Sequence, residues 1–101
     1  MKSKRSKATD ISQSVKQRVR ERDGNKCIIC IYGTNPAPNA HYIPRSAGGL
    51  GIEENIVTLC AKCHREYDQS VERDMIAKRI ESYLKRKYPN WDKSKLYYNK
   101  Q

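Results

Sequence analysis

Four cysteines stand in two C-x-x-C pairs, Cys27 with Cys30 and Cys60 with Cys63, and two histidines, His41 and His64, are interleaved with them. Each pair can supply two soft ligands from one tight turn, and zinc takes four such ligands tetrahedrally. No apolar run approaches the roughly 18 residues of a membrane span. The start "MKSKRSKATD" lacks the apolar stretch of a secretory signal. A cytoplasmic chain with reduced thiols is therefore expected, in which a tetrathiolate zinc site outranks a redox C-x-x-C or disulfides.

Around the second pair lies a further set: His41, Asn55, His64 and Asp68. On a helix starting near Cys60, His64 and Asp68 are four residues apart and share one face, as two metal ligands on a helix do. An imidazole with a carboxylate suits a harder cation, Mg²⁺, Mn²⁺ or Ni²⁺, better than four thiolates would. The bland readings stay beside these. His41 would be packing on a strand, His64 a zinc ligand in place of a cysteine, Asp68 a surface acid, and Asn55 the turn that starts a strand.

The elements that must position this set can be read from the pattern. Residues 1–9 are basic and aperiodic, which predicts a disordered tail. Asp10 is the expected N-cap of a helix whose apolar stripe is Ile11, Val15 and Val19 and whose stop is Gly24. "AHYI" and "NIVTLC" are β-prone, and the glycine-rich stretch between them is too long for a two-residue hairpin turn. From Cys60 the pattern is helical. Val71, Met75, Ile76, Ile80, Tyr83, Leu84 and Tyr88 then trace a core-facing stripe that Pro89 ends. Trp91, Leu96, Tyr97 and Tyr98 are expected to dock the C-terminal stretch on the rest.

The net charge of +10 is uneven. Residues 1–26 hold nine Lys/Arg against three acids, 27–61 one against two, and 62–101 eleven against six. Two basic flanks about a near-neutral middle would draw a polyanion to it, although charge also keeps a small protein soluble. Binding to an anionic membrane is disfavoured, because the basic segments lack a broad apolar face. Arg18 and Arg22, off the stripe of the first helix, with Arg45 and Lys62, are the expected DNA contacts.

The run "CIIC … AHYIPRSAGGLGIEEN-IVTLCAKCHREYD" resembles the HNH endonucleases, of the phage and bacterial type with four zinc-binding cysteines. The name-giving positions are His41, Asn55 and His64. The resemblance implies a small α+β fold with a ββα-metal core, a two-stranded hairpin plus helix stabilised by a four-cysteine zinc site, with flanking N- and C-terminal helices. It implies one nuclease domain over 10–101, with the motif in 27–68 and a helical extension over 71–101. His41 would be the general base, Asn55 would hold the loop and orient that imidazole, and His64 with Asp68 would ligate the catalytic cation. Cys27, Cys30, Cys60 and Cys63 would bind structural zinc. Many members carry a further ligand just before the base, where this chain has Ala40. The implied activity is metal-dependent DNA hydrolysis by a monomer in a bacterial or phage-infected cell, with phage terminase subunits as partners. The competing expectations are an inactive zinc-stabilised nucleic-acid-binding module and, more weakly, a redox protein.

Overall fold

The computed structural model describes residues 3–98. Its elements are α1 (Lys4–Thr9), α2 (Gln13–Arg22), β1 (Ala37–His41), β2 (Ile56–Leu59), α3 (Ala61–Gln69) and α4 (Arg73–Lys87), with 3-10 turns at Arg45–Ala47 and Lys93–Lys95. β1 and β2 form one antiparallel hairpin in which Ala37 faces Leu59, Ala40 faces Val57 and His41 faces Ile56. An irregularity between Ala37 and Ala40 puts one extra residue on β1. This small α+β arrangement, with the four cysteines gathered beside it, is the expected ββα-metal fold. No helix among the described residues is long and apolar enough to cross a membrane.

β2 is buried along its whole length. Ile56 packs with Val15 and Val19 of α2, while Val57 and Leu59 join Ile76, Ile80 and Leu84 of α4 and Tyr67 of α3. The strand is therefore the wall shared by both apolar clusters, and apolar burial on its two sides is the main force that holds the flanking helices to the hairpin. Leu96 is buried in the larger cluster. Trp91 donates Nε1–H to the Glu54 carbonyl at 2.8 Å and meets Tyr42 edge-on at 5.7 Å, so the C-terminal stretch docks as expected.

Four details depart from the sequence reading. Residues 4–9 are a helix, not a disordered tail. Ser3 Oγ accepts from Ser6 N–H, and Thr9, which is buried, donates its hydroxyl to the carbonyls of Arg5 and Ser6. This short helix is tied by polar contacts, so it has no apolar period to reveal it; Met1 and Lys2 lie outside the described residues. Asp10 does not cap α2: Ser12 Oγ does, accepting from Val15 N–H at 3.2 Å. The helical stripe breaks at Ser70, which leaves Val71 96% and Met75 53% exposed while Ile76, Ile80 and Leu84 are core. Arg22 is no surface cation. Its side chain is 12% exposed, and the guanidinium pairs with Asp23 and donates to Tyr88 Oη at 3.0 Å and to the carbonyls of Glu53 and Ile56 at 2.8 and 2.7 Å. Burial works against that charge, but the bonds to Asp23 and Tyr88 outweigh it and hold its pKa above the usual arginine range.

Candidate active site

Two clusters flank the first turn of α3. Cys60 caps this helix with its own sulfur, Sγ accepting from Cys63 N–H at 3.4 Å, which places both cysteines of the second pair at the helix start. Cys27 and Cys30 approach from the turn before β1, and Ile28 N–H donates to the Thr58 carbonyl at 3.0 Å to fix that turn to β2. All four Sγ atoms lie within 4.8 Å of one another, and those of Cys30 and Cys60 are 3.6 Å apart. Tetrahedral zinc at about 2.3 Å from each sulfur requires sulfur separations of about 3.8 Å. The donor set and its size thus fit one structural zinc, and no sulfur pair is bonded as a disulfide. Gly33 is what lets the sulfurs close up, since a Cβ there would stand 2.2 Å from Cys60 Sγ and 2.9 Å from Cys30 Sγ. Burial opposes ionisation of Cys27, Cys30 and Cys63 and pushes the thiols of Cys30 and Cys63 up, while backbone N–H groups of Cys30, Cys60 and Ile29 bring that of Cys27 below its ordinary value.

One helical turn further on, α3 presents His64 and Asp68 on a single face, His64 Nε2 standing 3.7 Å from Asp68 Oδ2. Tyr67, between them on the buried side, donates its hydroxyl to the Tyr42 carbonyl at 2.6 Å and so clamps α3 against the end of β1. That clamp brings His41 to the same cleft as His64 and Asp68, an opening of about 460 Å³ also lined by Asn39, Arg45 and Arg73.

His41 Nε2 lies 2.8 Å from the carbonyl oxygen of Thr9. A carbonyl only accepts, so the neutral ring carries its hydrogen on Nε2 and Nδ1 is left as the basic nitrogen. Burial pushes the His41 pKa below its ordinary value, and the nearby charges of Arg45 and His64 act in the same direction against the Thr9 bond. The imidazole is accordingly a neutral base near pH 7.

Asn55 is fully buried and spans the loop that joins the strands. Oδ1 accepts from Ile43 N–H at 2.8 Å, and Nδ2 donates to the carbonyls of Leu50 and Ile43 at 2.8 and 3.2 Å. These three bonds close residues 42–55 into a compact loop and set the height at which its basic turn, Arg45–Ala47, meets the cleft.

Residues 27–79, just over half the chain, match the HNH endonuclease family. The chain belongs to that family. It is also similar to anaredoxin of Nostoc sp., 31% identical over 55 residues that span 54% of this chain and 72% of that protein. The three positions expected to carry the family's name stand on three successive parts of the core, His41 on the first strand, Asn55 on the loop before the second and His64 on the helix, and His41 and His64 line the cleft.

Two expectations change in detail. Asn55 holds the loop, but its side chain bonds the loop backbone rather than His41; the ring's partner is Thr9, outside the matched span. Of the four expected DNA contacts, Arg45 alone lines the cleft, where it also pairs with Asp10. Arg18 pairs with Glu53, Arg22 is structural, and Lys62 stands exposed beside the cysteine cluster. Arg73, which carries no sequence signal, does line the cleft. It stacks on Tyr67, 4.6 Å from the ring centroid, and donates to the Tyr67 carbonyl at 2.7 Å. Ala40 faces the core and is fully buried against Val57, while Asn39 and His41 on either side reach the cleft.

Proposed function

We propose that this chain is a metal-dependent endonuclease that hydrolyses DNA phosphodiester bonds. The observation that carries the reading is a neutral His41, fixed through Nε2 with Nδ1 as its base, in one cleft with His64 and Asp68. His41 Nδ1 would take a proton from the attacking water. His64 and Asp68 would hold a divalent cation, which would offset the charge that develops on the phosphate and the departing oxygen. Two protein donors suit Mg²⁺, which keeps several waters and shares its shell with phosphate. Arg45 and Arg73 would receive the phosphates that flank the scissile one, and the basic flanks supply salt-dependent attraction along the duplex.

An inactive nucleic-acid-binding module would draw its support from Ala40. The burial of that side chain gives alanine a packing reason of its own, which supports the active reading.

Supercoiled plasmid incubated with the zinc-loaded protein and Mg²⁺, Mn²⁺ or Ni²⁺ is expected to be nicked or linearised. His41→Ala should slow this by roughly 10²- to 10⁴-fold, the usual worth of a general base. His64→Ala should abolish it with zinc content still near one per chain. Cleavage that survives His41→Ala unchanged would overturn the assignment of the base, and zinc lost with His64 would make that residue structural.

A further inference from the structure

The segment before α2 lies outside the span matched to the family, yet four separate contacts fasten it to the loop between the strands and to the end of β1. Arg5 Nη2 donates to the Ser46 carbonyl at 2.9 Å, Gly51 N–H donates to the Ala8 carbonyl at 3.0 Å, and Asp10 pairs with Arg45. The fourth contact is the Thr9 carbonyl on His41 Nε2. Thr9 itself is buried, its hydroxyl bonded back to Arg5 and Ser6, so its carbonyl has little freedom to swing.

We infer that residues 5–10 form a positioning strap that fixes the tautomer and orientation of the His41 imidazole through the Thr9 carbonyl. This rests on His41 being the base. Among the described residues the Thr9 carbonyl is the ring's hydrogen-bond partner, so without the strap the neutral imidazole would divide between its two tautomers and rotate about χ2. The Nδ1–H form has no lone pair where the base needs one. The matched core would then be an incomplete catalyst until this segment docks, although it holds all three name-giving residues.

Gly51 provides the means of testing this without touching the cleft. A Cβ there would lie 2.0 Å from the Asp10 carbonyl oxygen and 3.0 Å from that of Thr9, both backbone atoms, so Gly51→Ala must move the strap and the loop apart. Arg5→Ala loosens it without a clash. The chain has two histidines, so His64→Ala leaves His41 as a single ¹⁵N-histidine signal in the zinc-loaded protein. In that background the ring should read as the Nε2–H tautomer alone. Added Gly51→Ala should convert it to a mixture, and Arg5→Ala should move it the same way to a smaller extent.

In chains that retain His64, Gly51→Ala should lower the turnover of plasmid cleavage about 10- to 100-fold, the usual cost of losing a group that orients a functional histidine. Zinc content should stay unchanged. A pure Nε2–H signal in both variants, or an Nδ1–H ring in the parent, overturns the strap; should Gly51→Ala fail to fold, Arg5→Ala decides. The tautomer needs no cleavage to be read. A parent that holds the Nε2–H form but cuts no DNA would refute the nuclease reading and leave the strap standing.

Discussion

Replacing Asn55 separates a loop strut from an ordinary buried polar residue. In Asn55→Ala, the N–H of Ile43 and the carbonyls of Ile43 and Leu50 lose their partners inside the fold. A buried polar group left unpaired costs about 1–3 kcal/mol, so the variant should lose about 3–5 kcal/mol, water reaching Leu50 sparing part of the sum. Asn55→Asp is nearly isosteric but should fare no better at pH 7. It keeps an acceptor for Ile43 N–H and turns the other end from a donor into an oxygen facing two carbonyl oxygens. The buried carboxyl would avoid its charge, so its folded pKa would rise above the unfolded value of about 3.9. A group whose folded pKa is raised gives back stability as pH falls. Asn55→Asp should therefore recover, against the parent, about 1.4 kcal/mol per pH unit from pH 7 to pH 5, while the Asn55→Ala deficit stays flat. Urea unfolding followed by circular dichroism with zinc present measures both. If Asn55→Asp is as stable as the parent at pH 7 and its deficit does not change with pH, the three-bond account of the loop is refuted.

The pH dependence of cleavage should follow His41. Its folded pKa is depressed below 6.5, chiefly by burial, so the neutral base persists into mildly acidic solution. Cleavage should rise along an acid limb with a midpoint below 6.5, and a midpoint above 6.5 in the rate of plasmid nicking would contradict this. The same depression means that protonation favours the unfolded chain, so stability should also decline as pH falls through that window. Gly33→Ala places a methyl group inside the sulfur cluster and should weaken zinc at least about tenfold in a chelator competition, with loss of helical signal once the metal is removed. Unchanged zinc affinity would show that the cysteines close by another route.

The metal cluster and the cleft were legible because their chemistry is local in sequence. Two C-x-x-C pairs, a histidine four residues before an aspartate and an asparagine ahead of a β-prone run each fix a short-range geometry, and the hairpin then brings them together. Arg22 was hidden for the opposite reason. Four arginine or lysine side chains off an apolar stripe look alike, and only the fold decides that Arg22 meets the buried Asp23 carboxylate, two carbonyls and Tyr88 while its neighbours stay in solvent. The break at Ser70 was hidden too, since Val71, just before α4, and Met75, near its start, keep the period of that helix without sharing its core.

Ala40 and Thr9 show a different limit. In the sequence Ala40 reads as a missing ligand, because the position before the base often supplies one; strand alternation turns that side chain into the core and gives the cleft to Asn39 and His41. Thr9 has no signature at all, since what it contributes is a carbonyl, and any residue carries one. Its effect depends on a close approach that Gly51 permits and that Arg5 and Asp10 hold. A motif names the groups that react, but the groups that aim them can be backbone atoms from elsewhere in the chain, and Arg5→Ala, outside the matched span, is for that reason a sharper probe of the base than most changes inside the motif.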